Sequence, residues 1–408
     1  MKTPQILLLA TCLFAGACQN VTKQEPPKDI ISVNMEQVTD SLFRYSELFQ
    51  SVQVIPLDNS DVLVAGIDKM IVGKDLLYIR DNRTESIYAF RKDGSFVRKY
   101  GSLGPGPEEY GSCRDFTIDE QGNKLYLYDA RRNRIITYNL QTGEFENDLP
   151  LEKPLQSNEI SYYEGNLYAS QAYSHPQTAD PCYLLHQIDL RSGRETGTML
   201  DADVYNKGWK GEFLSAGKSF ANIDGEIWFC SGLMDSVMTI RQGKAVPAMV
   251  MQGKNVVQKA DIDKEALSAK SSPTDQTRQM MNMFMRLNKE QKQYGFSNFF
   301  MHDKDIWFQC FGGSILKVRH NLQDGKTSIY SKTEDDVLFR AGSNVSSVPN
   351  YLTADEGGVY YGYNTEQLRE LQQLFYKREL SDKVIGTIGI LHLNEESNPV
   401  VLYYQFKK

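Results

Sequence analysis

Six positions in this sequence place a polar or reactive side chain at the same point of a repeat. Asp81, Asp129, Gln171, Ser231, Cys310 and Tyr363 each stand three residues after an aromatic residue that follows an aliphatic one. If the repeats close into a ring, these positions gather around its axis, where two carboxylates beside an amide and hydroxyls suit a cation or a sugar. A second set shares one loop, Gly101-Ser-Leu-Gly-Pro-Gly-Pro-Glu-Glu-Tyr110, in which Glu108, Glu109 and Tyr110 present polar groups from a backbone constrained by two prolines. That loop lacks a G-K-[ST] ending and opens no helix, so it is not a phosphate cradle. Asp81, Asp129, Gln171, Glu108, Glu109 and Tyr110 are the candidate ligand-binding residues.

Other chemistries find little support. The histidines at 175, 186, 302, 320 and 392 are scattered, and no G-x-S-x-G, H-E-x-x-H or calcium-loop pattern occurs. The Glu108-Glu109 pair is too common a pattern to imply glycoside hydrolysis. Cys113, Cys182, Cys230 and Cys310 form no C-x-x-C and no Cys/His cluster, so neither a metal site nor a cofactor is expected, and they read as buried thiols. A formal charge of −7 without a basic stripe argues against nucleic acid as a partner. No catalytic residue is identifiable.

Cys18 has a chemistry of its own. Lys2 precedes a short apolar run, residues 6–17, that is below the ~20 residues a membrane span needs. It ends in Ala15-Gly16-Ala17, directly before the cysteine. The run reads as a signal peptide, residues 1–17, and the junction resembles a bacterial lipobox, in which the thiol is acylated. Residues 18–48 then hold the lipidated Cys18 and a tether, polar and stiffened by Pro26 and Pro27. The expected address is the cell envelope, with the chain exported and lipid-anchored to the outer membrane.

What must position these residues is a β repeat. One series of turn signals runs Lys74-Asp75, Gln121-Gly122-Asn123, Glu164-Gly165, Asp224-Gly225, Asp303-Lys304 and Glu356-Gly357, each leading into an aliphatic–aromatic pair. A second runs Asp93-Gly94, Thr142-Gly143, Ser192-Gly193, Gln242-Gly243, Asp324-Gly325 and Asn398-Pro399. Gly and Asn supply the positive φ of tight hairpins, and the flanks are β-branched or aromatic. The first four glycines of the second series, 94, 143, 193 and 243, recur every 49 or 50 residues. The two longer gaps that follow contain helical patterns, placing helical insertions at 252–295 and 364–382. This period fits a four-stranded blade. The expected fold is an all-β, six-bladed propeller of antiparallel blades over residues 49–408, a single monomeric domain. Residues 52–57 also read as a strand and are expected beside the last blade, closing the ring.

Tyr126-Leu-Tyr-Asp129-Ala-Arg-Arg-Asn133-Arg134-Ile135 resembles the NHL repeat, whose Asp closes a turn by accepting from main-chain amides. The stretch from Val54-Ile-Pro-Leu57 through the 101–110 loop to Thr137-Tyr-Asn139 is similar to the six-bladed, TolB-like propeller lipoproteins of Gram-negative anaerobes. That resemblance implies a fold and an address and brings no mechanism.

Both turn series fall on one face of such a disc. The longer connections, 101–111, 171–182, 200–215, 252–295 and 364–382, fall on the other, where binding is expected. The expected role is a binding or scaffold propeller for a peptide, protein or glycan on the long-loop face, touching the membrane only through its lipid. A hydrolase or lyase acting on a glycan or peptide at the channel mouth is one alternative. A structural subunit of a membrane complex is another.

Overall fold

A computed structural model of the chain describes residues 30–36, 38–171, 181–210, 217–263, 273–342, 349–377, 379–386, 393 and 397–408. Cys18 and the signal-like run lie outside these residues. The described chain forms six sheets of four or five strands arranged as the blades of one propeller. Their inner strands are Lys69–Val72, Asp115–Asp119, Ser157–Tyr163, Phe220–Ile223, Tyr294–His302 and Asn350–Asp355.

The middle strands explain why blades form. In blade 1, Ser86–Phe90 are all buried, because each blade is covered by a neighbour on both faces. Such strands therefore read as continuous apolar runs, without the alternation of a half-exposed sheet. The turn signals fall where expected, with Gly94 at φ 92 in the outer hairpin of blade 1. A Cβ there would lie 2.1 Å from the carbonyl oxygen of Pro56 in blade 6, so only glycine lets the two blades meet.

The ring closes in blade 6, whose sheet runs Asn350–Asp355, Gly358–Tyr363, Val400–Phe406, then Phe49–Pro56 from the start of the chain. The strand expected at 52–57 is thus Phe49–Pro56, the fourth strand of the last blade, next to its C-terminal strand. Asn398-Pro399 accordingly is not an outer hairpin, since it leads into the third strand. Its Oδ1 accepts from the Val64 amide at 2.7 Å, and its Nδ2 donates to the Asp58 and Val62 carbonyls at 2.8 and 2.9 Å. Asn398 is a staple between blades 6 and 1.

The tether expected through residue 48 is shorter than the sequence suggested. Ile31–Asn34 pairs in parallel with the outer strand of blade 4, and Val38–Arg44 with that of blade 5. Val33 and Met35 are fully buried there and Phe43 nearly so, which accounts for the docking. Blade 6 likewise gains a fifth, parallel strand from Val384–Ile385.

The helices decorate the long-loop face: α1 (Ala202–Tyr205), α2 (Lys259–Ile262), α3 (Pro273–Lys289) and α4 (Thr365–Tyr376). In α3 the buried residues Met280, Met283 and Leu287 pack against Trp209, Leu233 and Tyr294. Met281 and Met285 face outward. Among the described residues no helix is long and apolar enough to cross a membrane.

Candidate functional site

The inner strands leave one edge of each sheet facing the axis. Between those edges lies a cavity of about 850 Å³. It widens toward the face of the short turns. Along Tyr294–His302 the first six residues are buried, and the last three, Phe300 to His302, are partly open. The mouth is rimmed by the turns themselves, including Glu120, Asp224, Asp303 and Glu356, together with Lys407 and Lys408.

The opposite end is closed by side chains that cross the axis. Lys218, just before the inner strand of blade 4, donates from Nζ to the Asp68 carbonyl of blade 1. Lys69 of blade 1 donates to Asp115 Oδ2 of blade 2 at 2.7 Å and to the Ile160 carbonyl of blade 3 at 3.0 Å. Arg80 Nη1 holds Asp68 Oδ2 at 2.8 Å. Glu159 of blade 3 accepts the Ser219 amide of blade 4 at 2.8 Å through Oε2. Five of these charged groups come from the entry of an inner strand, and together they make the site a blind funnel.

Burial sets the electrostatics of that floor. Desolvation raises the Glu159 carboxyl above its ordinary range, against the lowering pull of Lys218 and Lys69. Asp68 is raised for the same first reason, opposed by Arg80 and Lys218 and reinforced by the nearby Asp115 carboxylate.

The residues singled out from sequence lie elsewhere. Asp81 and Asp129 end the second strands of blades 1 and 2, one strand out from the axis, and do not line the funnel. Asp81 accepts the Ala65 and Arg83 amides at 2.7 and 2.9 Å, and the Thr84 hydroxyl at 2.8 Å. Asp129 accepts the Gly111 and Ser112 amides at 2.9 and 3.0 Å and the Arg134 guanidinium at 3.4 Å. Both are fully buried turn-closing carboxylates. Glu109 folds back on its own loop, accepting the Gly106 amide at 2.7 Å. Glu108 is exposed, and its carbonyl accepts the Tyr138 hydroxyl at 3.0 Å, while Tyr110 is fully buried. The loop is clasped from blade 2, where Arg132 and Arg134 donate to the Glu109 carbonyl at 2.7 and 2.6 Å. Gln171 lines a separate pocket of about 280 Å³ between blades 2 and 3, beside His186 and Glu195. Asp129 therefore lies against the end of the 101–110 loop on the long-loop face, Asp81 closes the corresponding turn of blade 1, and Gln171 stands apart.

Sequence reasoning missed Lys69, Lys218 and Glu159. The usable signal was positional, because all three sit at the entry of a first strand, just ahead of a series-one turn. Cys113, Cys230 and Cys310 are buried, and burial raises all three thiols. Cys182 is buried as well. Among the described residues no group of three or more His, Cys, Asp or Glu has the arrangement of a metal site.

Residues 29–405 match the model of a family described as Domain of unknown function (DUF4934). No curated protein matches the chain. Two solved structures share the fold. One is a candidate exported protein of Bacteroides fragilis, with a TM-score of 0.68 and 16% identity over 93% of this chain and 100% of that one. The other is a DUF4221 member from Bacteroides vulgatus, with a TM-score of 0.50 and 12% identity over 88% of this chain and 97% of that one.

Proposed function

This chain belongs to the DUF4934 family, and from that premise we propose that it is an exported cell-envelope lipoprotein, anchored through Cys18, that binds a ligand in its axial funnel. The observation that carries the binding role is the funnel itself, about 850 Å³ in volume, open at one face and closed at the other by Lys69 and Lys218. Sites for small ligands fall in this size range, mostly apolar with a few fixed polar groups. The address is supported by Ala15-Gly16-Ala17-Cys18 and agrees with the exported assignment of the Bacteroides fragilis relative.

The test is a thermal-shift screen of the full chain in detergent against glycan fragments, peptides and divalent cations. A ligand at 100 times its Kd adds about 2.7 kcal/mol of stability. A shift that Glu159→Gln reduces supports the funnel as the site. A shift untouched by Glu159→Gln but lost when residues 103–110 are replaced by a Gly-Ser link returns binding to the long-loop face.

One observation favours a second reading, a hydrolase or lyase. Desolvation raises the Glu159 carboxyl above its ordinary range despite the lowering pull of Lys218, and a raised carboxyl in a cleft is the kind of group that serves as a general acid. Turnover of a bound ligand that disappears in Glu159→Gln, with binding retained, would establish it.

A further inference from the structure

The funnel has the chemistry of a site for neutral sugars, and we infer that its ligand is an uncharged oligosaccharide; this rests on the reading of the funnel as the binding site. Three features converge on that class.

The first is charge balance. At the floor Lys69 is paired with Asp115 at 2.7 Å and Arg80 with Asp68 at 2.8 Å, while Lys218 acts on Glu159, so three basic groups stand against three acidic ones. A cation or anion inserted there would compete with pairs already formed, at the cost of desolvating its own charge. At the rim the carboxylates of Glu120, Asp224, Asp303 and Glu356 outnumber Lys407 and Lys408, which further disfavours a polyanion.

The second is the wall. Inner-strand edges present the main-chain N–H and C=O of every second residue, so a donor and an acceptor recur together about every 6.6 Å. Neighbouring blades satisfy some of them: the Ile160 amide donates to Asp115 at 2.6 Å and the Tyr162 amide to Thr117 Oγ1 at 3.0 Å. A surface mixing donors and acceptors at this spacing suits hydroxyls, each of which both donates and accepts.

The third is the aromatic lining. Tyr162, Tyr163, Phe220, Phe300 and Tyr351 border the cavity and are all partly open. Two of them are braced from behind. Tyr126 stacks on Tyr162 with centroids 5.5 Å apart and planes at 25°, and Trp307 lies parallel to Phe300 at 6.3 Å and 3°. Rings already held in place lose little freedom on binding, and their flat apolar faces complement the C–H faces of a pyranose.

The test uses the full chain in detergent and three kinds of probe: neutral hexasaccharides of glucose, mannose and xylose; a polygalacturonate hexamer; and an oligolysine peptide. Binding is measured by saturation-transfer NMR and calorimetry for the wild type, Glu159→Gln, Tyr163→Ala and the opposite-face control Tyr376→Ser, each checked for an unchanged melting temperature. The inference expects a neutral hexasaccharide to bind, at least tenfold more weakly to Glu159→Gln and Tyr163→Ala and unchanged to Tyr376→Ser. Binding of only a charged probe, sensitive to the same two variants, overturns the sugar class and leaves the funnel as the site. Neutral-sugar binding that ignores both variants, or no binding by any probe, overturns the funnel reading as well.

Discussion

Lys218 and Asp68 belong to blades on opposite sides of the ring, and the bond from Lys218 Nζ to the Asp68 carbonyl spans the axis at the long-loop end. A six-bladed ring leaves a hole at its centre, because the inner strands cannot converge without clashing. Here the hole is stopped at one end by a long side chain whose methylenes cross the gap and whose ammonium finds a main-chain acceptor. The cavity therefore opens on the short-turn face.

Lys218→Met tests the stopper. The change keeps the bulk and deletes the ammonium, leaving the Asp68 carbonyl without this donor. Loss of about 1–3 kcal/mol is expected by urea unfolding, with Lys218→Arg closer to the wild type. Lys218 also pulls the Glu159 carboxyl down, so the Glu159 pKa should rise further in Lys218→Met. Carboxyl 13C titration reads it, and an unmoved or lowered value would refute the pairing.

Asp129→Ala should cost stability and spare the funnel. It strips the acceptor from the Gly111 and Ser112 amides and from Arg134 in a fully buried turn. About 2–4 kcal/mol is expected, since charge-assisted bonds exceed neutral ones. Ligand affinity per folded molecule should not change. Intact stability with lost binding would instead restore Asp129 to a ligand role.

Arg134→Met should loosen one loop selectively. Arg134 joins Asp129 and Asp148 to the Glu109 carbonyl, so its removal leaves residues 104–110 held from blade 2 by Arg132 and the Tyr138 hydroxyl. Hydrogen exchange at the Gly104 and Tyr110 amides, which are bonded within the loop, should accelerate at least tenfold. Amides in blades 3 to 5 should be unaffected.

What the sequence disclosed follows from how local each signal is. Hairpin glycines act within four residues, so Gly94, Gly143, Gly193, Gly243 and Gly325 mark their outer turns directly. Asp129 was legible as a turn-closing residue only through its repeat motif, because the Gly111 and Ser112 amides it accepts lie 18 and 17 residues away. Ile31–Asn34 is different, because four residues carry too little pattern to reveal a partner at Met249–Gln252. Asn398-Pro399 misled because an Asn-Pro pair signals a turn without saying which. The funnel floor was hidden for a physical reason as well. Lys69, Glu159 and Lys218 meet only because three blades bring their strand entries to one axis, and each alone reads as a solvated charge.

Cys18→Ser tests the address. If Cys18 carries lipid, the wild type made in a Gram-negative host partitions into the detergent phase and labels with palmitate. The variant should move to the aqueous phase without a change in the melting temperature of the propeller. Aqueous partition of both proteins would remove the anchor from the proposal.

Asp335 gives the last prediction and its pH window. It follows the outer strand of blade 5, where its carboxylate accepts the Leu338 amide at 2.9 Å and the Tyr404 hydroxyl at 2.5 Å. Desolvation nevertheless wins over these bonds, and its pKa is pushed up from 3.8 to about 6. The folded state thus holds this proton more tightly than the unfolded chain does. The stabilisation is fully present below pH ~4 and is lost as pH rises through about 6, at about 1.4 kcal/mol per pKa unit, or ~3 kcal/mol in all. Asp335→Asn cannot ionise, yet its Oδ1 still accepts the Leu338 amide and its Nδ2 can donate to the Tyr404 oxygen. Relative to the wild type, this variant should therefore gain stability between pH 4 and pH 7 and hold that gain above it. Urea midpoints at unit pH steps decide the matter. A difference that stays flat would mean the Asp335 carboxyl titrates at its ordinary value in the fold, and one that grows toward low pH would mean it titrates below that value.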